Sequence, residues 1–221
     1  MPILTDRKTQ PQYDVVVVGS GAGGGMAALL LALNGAKVLM VEAGRNYDPV
    51  KETAMFQTPE MAPLRNERTR DRFFGHFDAT VGGGWQVPGE PYTNKPGTEH
   101  DFWWWRPRML GGRTNHWGRV ALRFGEHDFM PRSRDGLGVN WPMKYADLAP
   151  WYDKVEMLIG VYGEKSGVEN APDSPPGVLL PAPKPRVGEL LARKAGRTLG
   201  VPVVPGRRAV LTQPLDWKNL P

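Results

Sequence analysis

The chain has 221 residues, 28 Lys and Arg against 23 Asp and Glu, 27 glycines, 22 prolines and no cysteine. That length buries a sizeable core in one large domain or two small ones, and the Gly and Pro excess predicts long, shaped connections. The missing cysteines exclude disulfides, zinc–thiolate sites, iron–sulfur ligation and thiol catalysis within these residues.

Residues 1–12 read as a flexible tail. They contain no positive region followed by an apolar one, so no secretory signal is visible and the expected location is cytoplasmic. Tyr13–Val18, with four consecutive valines, reads as a strand of a parallel sheet, apolar on both faces. Glycines 19–25 break it, and Met26–Leu33 follows with helix-favouring Ala and Leu. Asn34-Gly35 supplies a stop, and Lys37–Val41 is a second apolar strand ending at Glu42. The sum is a strand–turn–helix–strand unit over residues 13–44.

Residues 50–105 are less regular. The formal net charge of +5 does not gather into a nucleic-acid surface. Its densest patch, Arg65–Arg72, is broken by Glu67 and Asp71 and reads as a solvated loop. Gly82-Gly83-Gly84-Trp85 reads as a surface loop or a substrate-covering one, and Trp103–Trp105 as packing before sugar stacking. Tyr145–Gly160 is a predicted helix, with Leu148, Tyr152, Val155 and Ile159 at helical spacing. Asp147 can cap it, and Pro150 is expected in its first turn. Residues 171–186 are proline-rich and predict an extended connection. Val187–Leu199 is a second amphipathic helix, and Val201–Thr212 is expected to return to strand. No run approaches the roughly 20 apolar residues of a membrane-spanning helix.

The chemistry lies first at Gly19-Ser20-Gly21-Ala22-Gly23-Gly24, a GxGxxG through Gly19, Gly21 and Gly24. Such glycines permit a tight turn, close approach to a pyrophosphate and close helix–strand packing. The helix that follows offers free N–H groups to phosphate. Glu42, 23 positions after Gly19, is placed to accept hydrogen bonds from a ribose diol, and it opposes a 2′-phosphate. FAD and NAD share this cradle. Ala28, Gly35 and Glu42, spaced by sevens and followed by Ala43-Gly44-Arg45, resemble FAD-binding flavoproteins more than nicotinamide dehydrogenases. An NAD-linked Rossmann dehydrogenase is the alternative.

The second segment is Gly111-Gly112-Arg113-Thr114-Asn115-His116-Trp117. Side-chain-free glycines let backbone lie against a flat ring. Backbone N–H groups and Arg113 suit the negative charge of a reduced flavin. Thr114 and Asn115 can bond its polar atoms, and Trp117 can form an apolar wall.

With the first motif, this segment resembles the glucose–methanol–choline (GMC) oxidoreductases, over residues 13–44 and about 101–163. The Gly-Gly, polar, His-Trp order and Asp135–Gly163 are most similar to the sugar-oxidising branch, the pyranose oxidases and bacterial sugar or glycoside dehydrogenases. The resemblance implies an incomplete α/β, Rossmann-like FAD-binding domain with a parallel sheet and long Gly/Pro-rich loops, residues 13–221 being its N-terminal part and 106–124 the flavin-contacting loop. It implies oxidation of a sugar or glycoside CH–OH group by hydride transfer to flavin N5. It also implies Gly19, Ser20, Gly21, Ala22, Gly24, Glu42 and Gly111 to Trp117 as FAD-binding residues.

In pyranose oxidases the histidine matching His116 is bonded to the flavin; here Asn115 stands where those enzymes have Thr. His116 is therefore either bonded to FAD or hydrogen-bonded beside it. The family's catalytic base matches no residue here and is expected downstream of Pro221, with most of the substrate domain. On that reading these residues alone bind FAD without turnover. A small subunit and a cytochrome electron acceptor are implied partners. A partner carrying the export signal would make the location periplasmic.

Overall fold

The computed structural model describes residues 12–44, 46, 109–115 and 117–216. His116, the Arg65–Arg72 patch, Gly82–Trp85, Trp103–Trp105 and the tail 1–11 lie outside the described residues. The chain divides into two units, Met1–Trp117 and Gly118–Pro221, so the boundary falls inside the segment 106–124.

In the first unit, β1 (Val15–Val18) pairs in parallel with β2 (Val38–Val41), Val15 opposite Val38 and Val18 opposite Val41. The helix α1 (Ala22–Leu33) connects them, which gives the expected βαβ unit. β1 was expected to be covered on both faces, but its side chains alternate. Val15 and Val17 are half-buried, while Val16 and Val18 are 57% and 83% exposed. The period-2 geometry of a strand turns one set of valines toward α1 and leaves the other set without a covering layer among the described residues.

α1 starts at Ala22, four residues before the expected Met26, because the fingerprint glycines join the helix. Each interior glycine costs about 1 kcal/mol relative to alanine, so their use calls for a reason. At Gly24 the reason is steric: a Cβ there would stand 2.0 Å from the Gly19 carbonyl oxygen and 3.3 Å from Val17 Cγ1. The helix ends at Asn34, whose Nδ2 donates to the Leu30 carbonyl at 2.8 Å, and Gly35 follows at φ +87°. That left-handed conformation favours glycine.

The second unit contains α2 (Glu126–Phe129), α3 (Pro131–Asp135), α4 (Tyr145–Ile159), β3 (Val161–Gly163), β4 (Leu180–Pro181), α5 (Val187–Leu199) and β5 (Arg208–Ala209). β3 is central, parallel to β4 and antiparallel to β5. Three helices begin alike. The third-residue carboxylates Asp128, Asp147 and Glu189 accept the N-cap amides of Gly125, Lys144 and Arg186 at 2.7–2.8 Å. This is half of a capping box, with negative charge at the positive end of each helix.

Asp147 therefore caps α4 from inside, and Pro150 is the sixth residue of the helix rather than part of its first turn. α5 has the expected bounds. Only Arg208–Ala209 of the expected strand 201–212 pairs, since β5 finds partners just at β3 and at the Val120 bridge. Within the proline-rich 171–186, Leu180–Pro181 joins the sheet as β4, because an edge strand tolerates a missing donor.

Phe124, Phe129 and Trp141 meet edge-to-face at centroid distances of 5.7–6.4 Å, around a fully buried Phe129. Beside this apolar cluster lies a buried charge network. Arg123 donates through Nε to Glu156 Oε1 (2.9 Å) and through Nη2 to Glu156 Oε2 (2.6 Å) and Asp153 (2.5 Å). Its Nη1 reaches the Tyr145 hydroxyl at 3.0 Å. Burial opposes this charge, but the bonds to Glu156, Asp153 and Tyr145 outweigh it and hold the guanidinium more firmly protonated than usual. Ser174 Oγ donates to Glu156 at 2.7 Å, and Arg207 pairs with Asp173 at 3.4 Å. Nothing in the sequence marked this network.

Candidate flavin-binding site

β1 delivers the chain to Gly19, whose φ of +89° turns it sharply; the Gly19 amide still donates to the Val41 carbonyl at 2.8 Å. Gly21 is the N-cap of α1, with extended backbone and no side-chain cap, and the first turn contains no acidic residue. The leading N–H groups of a helix have no partner within it. Here they also face no side-chain oxygen from the cap. Among the described residues, a Cβ added at Gly21 would find no atom within 4 Å. Among those residues the positive end of the helix is left uncovered at Gly21, an arrangement suited to a pyrophosphate.

Glu42 stands at the end of β2, as expected, and its carboxylate turns back onto the fingerprint. Ser20 donates to Oε2 through both its amide (2.8 Å) and its hydroxyl (2.5 Å), and the Gly44 amide donates to Oε1 at 2.7 Å. The Ala43 backbone adds a further bond. Partial burial raises the pKa of Glu42, but the Ser20 hydroxyl and the Gly44, Ser20 and Ala43 amides more than offset it, so it lies below the usual carboxylate value. Four donors match what a carboxylate can accept. A ribose hydroxyl would therefore share an oxygen already bonded or take the place of one donor.

The second segment comes to the same place. The Gly111 amide donates to Ser20 Oγ at 2.8 Å, across 91 positions of sequence. Gly111 and Gly112 have φ of +86° and +53°, and a Cβ on Gly112 would lie 3.7 Å from the Gly21 Cα. Glycine here allows two backbones to run in contact. Residues Gly112–Asn115 form a single 3-10 turn. Thr114 Oγ1 donates to the Gly111 carbonyl (2.5 Å), and Asn115 Nδ2 donates to the carbonyls of Leu110 (2.7 Å) and Gly112 (3.2 Å). In this structure these two side chains shape the loop they belong to. Trp117 is 38% exposed, and its amide donates to the Arg113 carbonyl.

Gly19, Ser20, Gly21, Ala22, Gly24, Glu42, Gly111 and Gly112 are thus brought together, with Arg113, Thr114, Asn115 and Trp117 in the loop alongside. His116, between them in sequence, lies outside the described residues. Ser20 is expected as an FAD-binding residue of the fingerprint. Its role as the side chain joining the two segments could not be read from local spacing, because its partner Gly111 is 91 residues away.

Residues 14–86 match the family described as FAD binding domain. The cofactor is FAD. The residues present fit it: a helix end without a side-chain cap, no described atom within 4 Å of a Cβ at Gly21, and a second glycine pair in backbone contact with the first. The chain is similar to FAD-dependent oxidoreductases. It is 33% identical over 202 residues to paromamine 6'-oxidase of Streptomyces fradiae, covering 90% of this chain and 31% of that protein. It is 31% identical over 206 residues to 6'''-hydroxyparomomycin C oxidase of Streptomyces lividus, covering 91% and 32%. It is 28% identical over 172 residues to the fructose dehydrogenase large subunit of Gluconobacter japonicus, covering 73% and 29%. The chain spans about a third of the length of these relatives.

Proposed function

We propose that the chain is the FAD-binding part of a GMC-type oxidoreductase that oxidises a CH–OH group of a sugar or glycoside. The observation that carries this reading is the Gly111 to Ser20 hydrogen bond, which joins the fingerprint and the Gly-Gly segment in one site. Relatives named for oxidising paromamine and dehydrogenating fructose support an alcohol-bearing sugar as substrate. Bound FAD supplies a two-electron acceptor for the hydride of the alcohol carbon.

The residues described here bind and orient rather than react. The N-terminal amides of α1, after Gly21, hold the pyrophosphate, and Glu42 serves the adenosine ribose. The Gly111–Trp117 segment would lie along the flavin ring, where the positive charge of Arg113 would favour the reduced, negatively charged form. His116 stands beside the ring or is bonded to it. The proton-accepting base is assigned to none of these residues. A small subunit fits the large-subunit name of one relative, and a cytochrome is the proposed electron acceptor. Cytoplasmic residence, or export with a partner subunit, is part of the same proposal.

The test is anaerobic mixing of the longer, flavin-loaded protein with a panel of pyranosides. Bleaching of the oxidised flavin band is expected for at least one of them. Bleaching by simple alcohols alone would overturn the sugar assignment, and bleaching by neither would overturn oxidation of CH–OH groups.

A further inference from the structure

The contact between the two glycine segments runs through one hydroxyl. Ser20 is 8% exposed, and its Oγ accepts the Gly111 amide at 2.8 Å while donating its single proton to Glu42 Oε2 at 2.5 Å. A hydroxyl has one proton to donate and lone pairs to accept with, so these two bonds fix its orientation. The order is Gly111 N–H to Ser20 O–H to Glu42 carboxylate. Glu42 does not depend on that hydroxyl alone, since the Ser20 and Gly44 amides also hold its two oxygens. Gly111 does depend on it, because among the described residues the one acceptor of its amide is Ser20 Oγ.

We propose that Ser20 is a positioning residue that docks the Gly111–Gly112 segment onto the dinucleotide site, so that its hydroxyl supports binding of the flavin half of FAD and contributes little to the ADP half. This rests on the reading that the Gly111–Trp117 segment faces the flavin ring. Removing the hydroxyl leaves a part-buried amide without its acceptor and loosens the backbone that runs against Gly21. A lost acceptor of this kind corresponds to about a tenfold change in an equilibrium constant. The same change relieves the crowded Glu42 carboxylate of one donor, which leaves the ribose end no worse held.

The experiment titrates the full chain with FAD and with ADP, following flavin fluorescence or heat, for wild type, Ser20→Ala and Ser20→Thr. Wild type is expected to bind FAD more tightly than ADP. Ser20→Ala is expected to bind FAD about tenfold more weakly while its ADP affinity stays within about threefold, and Ser20→Thr, which keeps the oxygen, restores FAD binding. Hydrogen exchange of the peptide spanning 109–115 is expected to speed up in Ser20→Ala with no ligand present. Equal losses of FAD and ADP in Ser20→Ala, or unchanged exchange at 109–115, would overturn the positioning role. A wild type that binds FAD no more tightly than ADP would instead overturn the reading on which this rests.

Discussion

At Gly24 and Glu42 single atoms decide between a folded cradle and a broken one. A methyl group at Gly24 meets the backbone carbonyl of Gly19, an obstacle that cannot rotate away. Gly24→Ala is expected to destabilise the chain by about 1–3 kcal/mol and to weaken FAD binding, as chemical denaturation and FAD titration would record. Glu42 has a different signature. Its folded pKa is depressed below the unfolded value of 4.5, so the stability it adds is complete above that value. It is lost as pH falls through the lower, folded pKa. Glu42→Gln is therefore expected to melt below wild type at pH 7, with the gap narrowing below about pH 4.5. A gap that stays constant with pH would contradict the assignment of these bonds to an ionised carboxylate. Of these residues, the glycines and Glu42 were legible in the sequence because turn, helix and strand end fix their places locally. The four donors on Glu42 were not, because they depend on how the strand end folds back.

Elements were legible where one periodic pattern ran without interruption. α5 follows its apolar spacing from Val187 to Leu199, and β2 follows its valines. The errors arose where a local cue met a competing one. Glycines read as breakers at 23–25 instead entered α1, because Gly24 must pass close to Gly19. Asp147 caps α4 as expected but from its third position, and Pro150, expected in the first turn, stands in the second. α4 also supplies Asp153 and Glu156 to the buried network, and no periodicity distinguishes these from solvated acids on an ordinary helix face. Glu156→Leu leaves Arg123 and Arg207 buried beside an apolar group. Removing one member of such a pair typically costs about 3–5 kcal/mol. A urea titration of the full chain is expected to show a loss of that order, whereas a loss under 1 kcal/mol would mean that water reaches the site.

At the scale of the whole molecule, the sequence pointed to one FAD-binding domain across 13–221, and the structure divides at Gly118. That boundary was invisible in composition, since the Gly-rich segment around it looks continuous from 106 to 124. The described residues of the first unit include a two-stranded βαβ unit, with Val16 and Val18 uncovered among them. The chain matches about a third of each relative. What the described residues do supply is the FAD cradle, and its geometry makes one substitution especially informative. Gly21 has φ of −62°, which alanine adopts readily, and an added Cβ meets no atom of the described residues within 4 Å. The most direct measurement is an equilibrium titration of FAD, with NADH in parallel, into the wild-type chain and Gly21→Ala at matched thermal stability. Wild type is expected to take up FAD in preference to NADH, and Gly21→Ala to melt as wild type does but bind FAD at least about tenfold more weakly, because the proposed site brings the pyrophosphate against Gly21. Unchanged FAD affinity in Gly21→Ala, or preferential uptake of NADH, would contradict it.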